Sequence, residues 1–536
     1  MTQLPDDRRD QTWQERYEAD RPRGVVLAPP GEPGEHVYPT VYAPGHLLIT
    51  DTANLVGIVG TLDELAAGFG WTVEAVTTSG ERVDPESDQE ETRADREQLD
   101  LPPVRLALIT ADRLQADRPS LPVDAWQLLR RVRARDERLL EGVGLDHVLS
   151  VDTGSVNPFG RTNPFGRTNP FGRTNPFGRT NAPGAEGYAE PGSGGRQVVD
   201  VIAGPPPRTP DAAIEGRRPV IAFMDTGCGR HPWLDGIVSV YPQLDGVVMG
   251  ADSDADDPEL HADLAGPFDG FIDDASGHGT FVAGILRQAC PDAALVSIRV
   301  ADGQGTVLEG EFLEAVRLVA RRVVRHARGD EVDPIDVLNL SLGYYHETPQ
   351  DVVFDRRLNR MLVRIREHGC AVVCSAGNDS TSRPSFPAAL WTWPGADFAV
   401  DDPDEAAPHL AVGALNPHRS SVALFSNIGP WVTLYAPGAA VVSCAPQTQQ
   451  GGVQAGSRDD RDGLRRESID PDDFAGGFAM WSGTSFAAPF VAGRIAAFVT
   501  PDLLSGKLAD DVKGRTRALR EAATAVVDEW DGFAGT

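Results

Sequence analysis

An α/β fold is predicted for residues 217–536, a three-layer domain with a largely parallel sheet, behind a smaller α+β unit over residues 37–154. Two observations predict the larger domain. Short apolar runs at VIAFMD, ALVSIRV, IDVLNLS, AVVCSAG and HLAVGAL read as strands buried on both faces. Helical stretches such as EFLEAVRLVARRVVRHA and DRRLNRMLVRIREHG stand between them. This alternation gives a parallel sheet covered by helices on both sides, and ligands of such sheets bind beyond the carboxyl ends of the strands.

The smaller unit is predicted by its own alternation. HLLIT, WTVEAV, VRLALIT and LDHVLSV read as strands, with VGIVGTLDELAAGFG and DAWQLLRRVRARDERLLEG as helices. Trp126, Leu128, Leu129, Val132 and Leu139 fall close to helical spacing among charged neighbours. The resulting order, βαββαβ, is that of a ferredoxin-like domain. Residues 80–100 are a charged connector, and residues 1–36 are expected to be disordered.

Four copies of Asn-Pro-Phe-Gly-Arg-Thr run from Asn157 to Thr180. Proline and glycine in every copy prevent a continuous helix, so residues 155–216 read as a linker.

Composition excludes several functions. The chain has 536 residues, 41% of them hydrophobic, which is ample for two domains. A formal charge of -30 would repel a phosphate backbone, so no nucleic-acid partner is expected. The five cysteines contain no CxxC pair and read as free thiols. The N-terminus is charged throughout and lacks an apolar signal segment, which implies a cytoplasmic protein. The apolar run Phe486 to Val499 is interrupted by Pro489, Gly493 and Arg494 and is too short for a span, so no membrane is expected.

Four residues stand where chemistry would be placed. Asp225 closes the strand VIAFM, His278 opens a helix between Gly277 and Gly279, Asn378 follows the strand AVVCS, and Ser485 begins a helix of apolar residues. Singly, each has a structural explanation, as a turn residue or a helix cap. Together, in the order Asp, His, Asn, Ser on one α/β domain, they form a constellation for acyl transfer.

At MDTG, GHGTFVAGIL, NLSLG, SAGND, FSNIGPWVTLYAPG and SGTSFAAPFVAG the sequence resembles the subtilisin-like serine peptidases, over about Arg217 to Phe498. The resemblance implies a subtilisin-like domain hydrolysing peptide bonds in proteins or peptides, with no cofactor required for the chemistry. It gives Ser485 as nucleophile, His278 as general base, Asp225 as its orienting partner and Asn378 as an oxyanion donor. Ser341-Leu342-Gly343 and Ser375-Ala376-Gly377 would be the two edges that pair with an extended substrate. Phe281 and Phe490 stand where many relatives have histidine, outside the catalytic roles. The same triad would serve a transpeptidase, and an inactive scaffold or peptide-binding module of the same fold is a further alternative.

Two expectations extend this reading. Asp252, Asp254 and Asp256 alternate in an acidic run that resembles part of a calcium loop, so structural calcium is considered there. Residues 37–154 are read as an inhibitory prodomain whose tail, from about Ser150, would enter the substrate cleft as an extended strand.

Overall fold

The computed structural model describes residues 24–27, 40–50, 52–93, 99–111, 121–135, 142–151, 185, 188, 191, 194–265, 270–347, 356–391, 402–508 and 511–530. The N-terminal 23 residues and all four Asn-Pro-Phe-Gly-Arg-Thr copies lie outside these.

Seven parallel strands form the central sheet of the larger unit, in the spatial order Leu434–Pro437, His409–Leu415, Ala371–Ser375, Val337–Leu340, Val220–Asp225, Ala294–Arg299 and Val238–Ser239. The alternation of side chains along each strand builds the three layers. On the strand ending at Asp225, Ile221 and Phe223 face one core with the His278–Ala289 and Thr484–Leu504 helices. Ala222 and Met224 face the other core, with the Glu309–Ala327 and Arg356–Glu367 helices. The Thr484–Leu504 helix is 21 residues long and apolar enough to cross a membrane by length and composition, longer than its sequence suggests. Fourteen of its residues are buried, so it serves as a core helix of this unit.

The smaller unit carries antiparallel strands in the order Val143–Val151, Thr40–Ile49, Arg105–Ala111 and Trp71–Val76. Its helices Leu55–Ala66 and Ala125–Arg135 cover one sheet face. Ala125, Leu128, Leu129 and Val132 form the buried stripe of the second helix at the helical spacing. One further helix, Pro85–Glu91, lies in what reads as a connector; Asp84 caps it by accepting from the Ser87 N–H, with proline in the first turn.

The other sheet face is covered by the larger unit. Leu48, Val76, Leu106, Leu149 and Val151 share one core with Phe312, Val316 and Leu358. At this contact Arg357 donates to the carbonyls of Thr50 and Pro103, and Glu314 accepts from the Val104 N–H.

The segment read as a linker is not free along its later part. Gln197–Val198 pairs with Ala479 and Met480, and the N–H groups of Glu215, Gly216 and Arg217 bond to carbonyls at the end of the Thr484–Leu504 helix. Parts of the segment before residue 217 therefore pack against the larger unit.

Candidate active site

Asp225, His278 and Ser485 come together at the carboxyl end of the central strands. His278 Nδ1 lies 2.7 Å from Asp225 Oδ1, and His278 Nε2 lies 2.9 Å from Ser485 Oγ. A carboxylate only accepts, so Nδ1 carries the proton and Nε2 is left to accept from the serine hydroxyl. Asp225 Oδ1 is held in place by the N–H of Thr226 at 2.8 Å. All three side chains are buried.

The backbone makes this convergence possible. His278 is the first residue of its helix, after Gly277 at φ +86°, a left-handed conformation that suits glycine. A Cβ on Gly279 would stand 2.1 Å from the carbonyl oxygen of Gly227, so only glycine lets the histidine helix touch the turn after Asp225. Aromatic side chains close the surroundings: Trp481 and Phe486 have ring centroids 5.7 and 5.1 Å from the His278 ring. Phe281 fills the space behind them, 4.4 Å from Phe486, which accounts for an aromatic residue at that position.

Ser485 is the second residue of its helix, where the helix supplies no acceptor for its N–H. Asn378 follows the Ala371–Ser375 strand, and its Oδ1 accepts from the N–H and Oγ1 of Thr484 at 2.9 and 3.0 Å. That pairing fixes the amide so that Nδ2 is its donor end. Ser341 Oγ donates to the Ser485 carbonyl at 3.0 Å, tying the neighbouring strand to the nucleophile.

Only one of the two expected edges carries an extended strand. Leu342 and Gly343 pair antiparallel with Val151 and Ser150. The other flank of that strand is formed by Thr306–Leu308, opposite Ser150, Leu149 and Val148, with the Val151 N–H donating to the Gly305 carbonyl at 2.7 Å. Ser375-Ala376-Gly377 does not take this place, because the Ala376 N–H bonds to Val412 and the Gly377 N–H to Thr484 Oγ1. Sequence reasoning missed the Gly305–Leu308 edge. Its signal was a glycine-containing turn followed by Thr-Val-Leu, directly before a helix.

The three aspartates of the acidic run do not form a calcium ligand set. Asp254 accepts from the Tyr241 hydroxyl and Asp256 is ion-paired with Arg299, whose positive charge opposes a cation there. Among the described residues, the ligand-type side chains that converge are His147, His346 and Glu347, at the contact between the two units. There His147 lies between two buried carboxylates, with Nδ1 2.6 Å from Glu309 and Nε2 2.9 Å from Glu347. Arg133 also reaches Glu347, at 3.2 Å. All five cysteines are free thiols; burial pushes Cys374 above its ordinary value and Cys444 up to about 12.

The subtilase family model matches residues 216–507, more than half of the chain. The chain is 27% identical to subtilisin-like protease 1 of Arthroderma otae over 248 residues, 45% of this chain and 39% of that protein. It is 25% identical to serine protease AprX of Bacillus subtilis over 324 residues, 56% of this chain and 62% of the relative. A third relative, the intracellular serine protease of Paenibacillus polymyxa, is 24% identical over 299 residues, 52% of this chain and 66% of that protein. The chain thus spans less than two thirds of the length of these relatives. The cytoplasmic placement expected from the N-terminus does not stand. Fungal subtilisin-like proteases match alongside a bacterial protein named as intracellular, and this mixture assigns no compartment.

Proposed function

This chain belongs to the subtilase family, and we propose that it is a serine endopeptidase restrained by its own N-terminal unit. The observation that carries the proposal is the hydrogen-bonded chain from Asp225 through His278 to Ser485. Ser485 attacks the scissile carbonyl while His278 Nε2 takes its proton, and His278 then gives that proton to the leaving amine. Asp225 holds the tautomer and stabilises the imidazolium. Asn378 Nδ2 and the Ser485 N–H donate to the oxyanion, beside the positive end of the helix dipole. Water resolves the acyl-enzyme. Every group is a side chain or backbone donor, so the chemistry needs no cofactor.

Residues 37–154 act as the inhibitory prodomain. Support comes from the strand Val148–Val151, seated between Thr306–Leu308 and Leu342-Gly343 as a peptide substrate would be. The buried face behind it adds apolar contact, and covalent tethering gives a high effective concentration.

The test is the intact mass of the full chain beside that of Ser485→Ala. The wild type is expected to be cut between residues 152 and 216 while Ser485→Ala keeps its full mass. Equal, full-length masses in both, with no peptide cleavage by the wild type, would contradict the proposal. Product masses from a peptide substrate separate hydrolysis, which adds water, from ligation, which does not.

A further inference from the structure

The acidic run considered for calcium contributes at another of its residues. Glu259 is completely buried, in the gap between the turn after Asp225 and the start of the histidine helix. We propose that Glu259 is a positioning residue of the catalytic site, whose carboxylate stitches the segment carrying Asp225 to the segment carrying His278. The proposal rests on the serine-peptidase reading above.

Glu259 Oε1 is 2.5 Å from Thr226 Oγ1, and Glu259 Oε2 is 2.5 Å from Thr280 Oγ1. An ionised carboxylate has no proton to give, so both hydroxyls donate to it and turn their lone pairs elsewhere. Those lone pairs meet backbone N–H groups of the opposite segment. Gly279 N–H donates to Thr226 Oγ1 at 2.9 Å, and Gly229 N–H donates to Thr280 Oγ1 at 2.7 Å. Gly279 N–H also reaches Glu259 Oε1 at 3.1 Å. Each threonine therefore belongs to one catalytic segment and accepts from the other, and a single carboxylate orients both.

Glu259 is itself fixed. Asp257 Oδ1 accepts the Glu259 N–H at 2.8 Å, and the Tyr241 hydroxyl, shared with Asp254, lies 2.8 Å from Asp257 Oδ2. Burial pushes Glu259 up to about 7, against the opposing effect of the two hydroxyl bonds. Above that pH it adds a second negative charge near Asp225, which favours the imidazolium formed in the transition state.

Glu259→Gln tests this. The amide nitrogen donates, so one threonine hydroxyl must turn its proton away from residue 259, and the charge-assisted bond that orients it is lost. The expected result is a fall in kcat on the order of 10–100-fold, the scale of a small misplacement of reacting groups, with KM little changed. The acid limb of the kcat/KM profile is expected to move to lower pH. Thr280→Val should also lower kcat, combine with Glu259→Gln less than additively, and be rescued by Thr280→Ser. The threonine pair carries the test if Glu259→Gln does not fold. A Glu259→Gln enzyme that loses only thermal stability, with wild-type kcat and an unmoved acid limb, overturns this proposal alone; so does wild-type kcat in Thr280→Val. A wild type without Ser485-dependent cleavage overturns the serine-peptidase reading and this proposal with it.

Discussion

Ser150 lies opposite Gly343 in an antiparallel ladder that ties the N-terminal unit to the larger one. One residue on, the Val151 N–H donates to the Gly305 carbonyl on the other side. The last described residues of the N-terminal unit are thus a strand with a partner on each flank, and small changes there test the proposed restraint.

Val151→Pro deletes the N–H that reaches Gly305 without touching the triad. The full chain carrying it is expected to start cleaving a peptide several-fold faster than the wild type, because the strand is held less tightly. Equal initial rates would show that this strand does not govern access to the site.

The contact between the units should weaken at high pH. Burial alone would lower the His147 pKa, but its hydrogen bonds to Glu309 and Glu347 outweigh burial and raise it well above the ordinary 6.5. Both ring nitrogens face carboxylate oxygens, so the bonded state is the imidazolium. A group whose pKa is raised by association contributes fully below its free value and loses that contribution as pH rises through the raised one. Inhibition by the N-terminal unit should therefore be full below about pH 6.5 and decline in the alkaline range. In His147→Gln the decline should be absent. An alkaline loss of the same size in His147→Gln would assign it to other groups.

Asn378→Ala should lower kcat by roughly 10²–10³ with KM little changed, the scale known for losing one oxyanion donor in a subtilisin. The geometry adds an internal control. Thr484 holds the Asn378 Oδ1 end, so Asn378→Asp keeps the acceptor and loses the donor, and should be as impaired as Asn378→Ala. Wild-type kcat in either variant would remove Asn378 from the oxyanion role.

Five of the seven parallel strands were legible because each is a short, mostly apolar run buried on both faces, whereas Val238–Ser239 and Leu434–Pro437 were not read as strands. Asp225 and His278 were legible because each sits at the boundary of such an element, where polarity changes abruptly. What the sequence hid are pairings between distant segments. Thr306–Leu308 is only three residues long and shows its meaning through Val148 to Ser150, more than 150 positions away. Glu259 sits in an acidic run in which Asp252, Asp254 and Asp256 are exposed while Asp257, Glu259 and Asp263 are buried, and nothing in the spacing marks which ones turn inward. The Pro85–Glu91 helix was hidden by its charge, since its signal is a cap and not an apolar stripe. Gln197–Val198 was taken for linker because two residues are too few to show a period, and only the Phe478–Trp481 strand makes them a strand.

The central claim, that Ser485 is a nucleophile activated by His278 and Asp225, is tested most directly by covalent capture. The full chain is treated with a fluorophosphonate, before and after proteolytic removal of the N-terminal unit, and the adduct is located by peptide mass mapping. The account predicts one adduct, on Ser485, that forms faster once the N-terminal unit is gone and is absent from Ser485→Ala and severely slowed in His278→Ala. An adduct on another residue, or none on Ser485 in either form of the wild type, would contradict it.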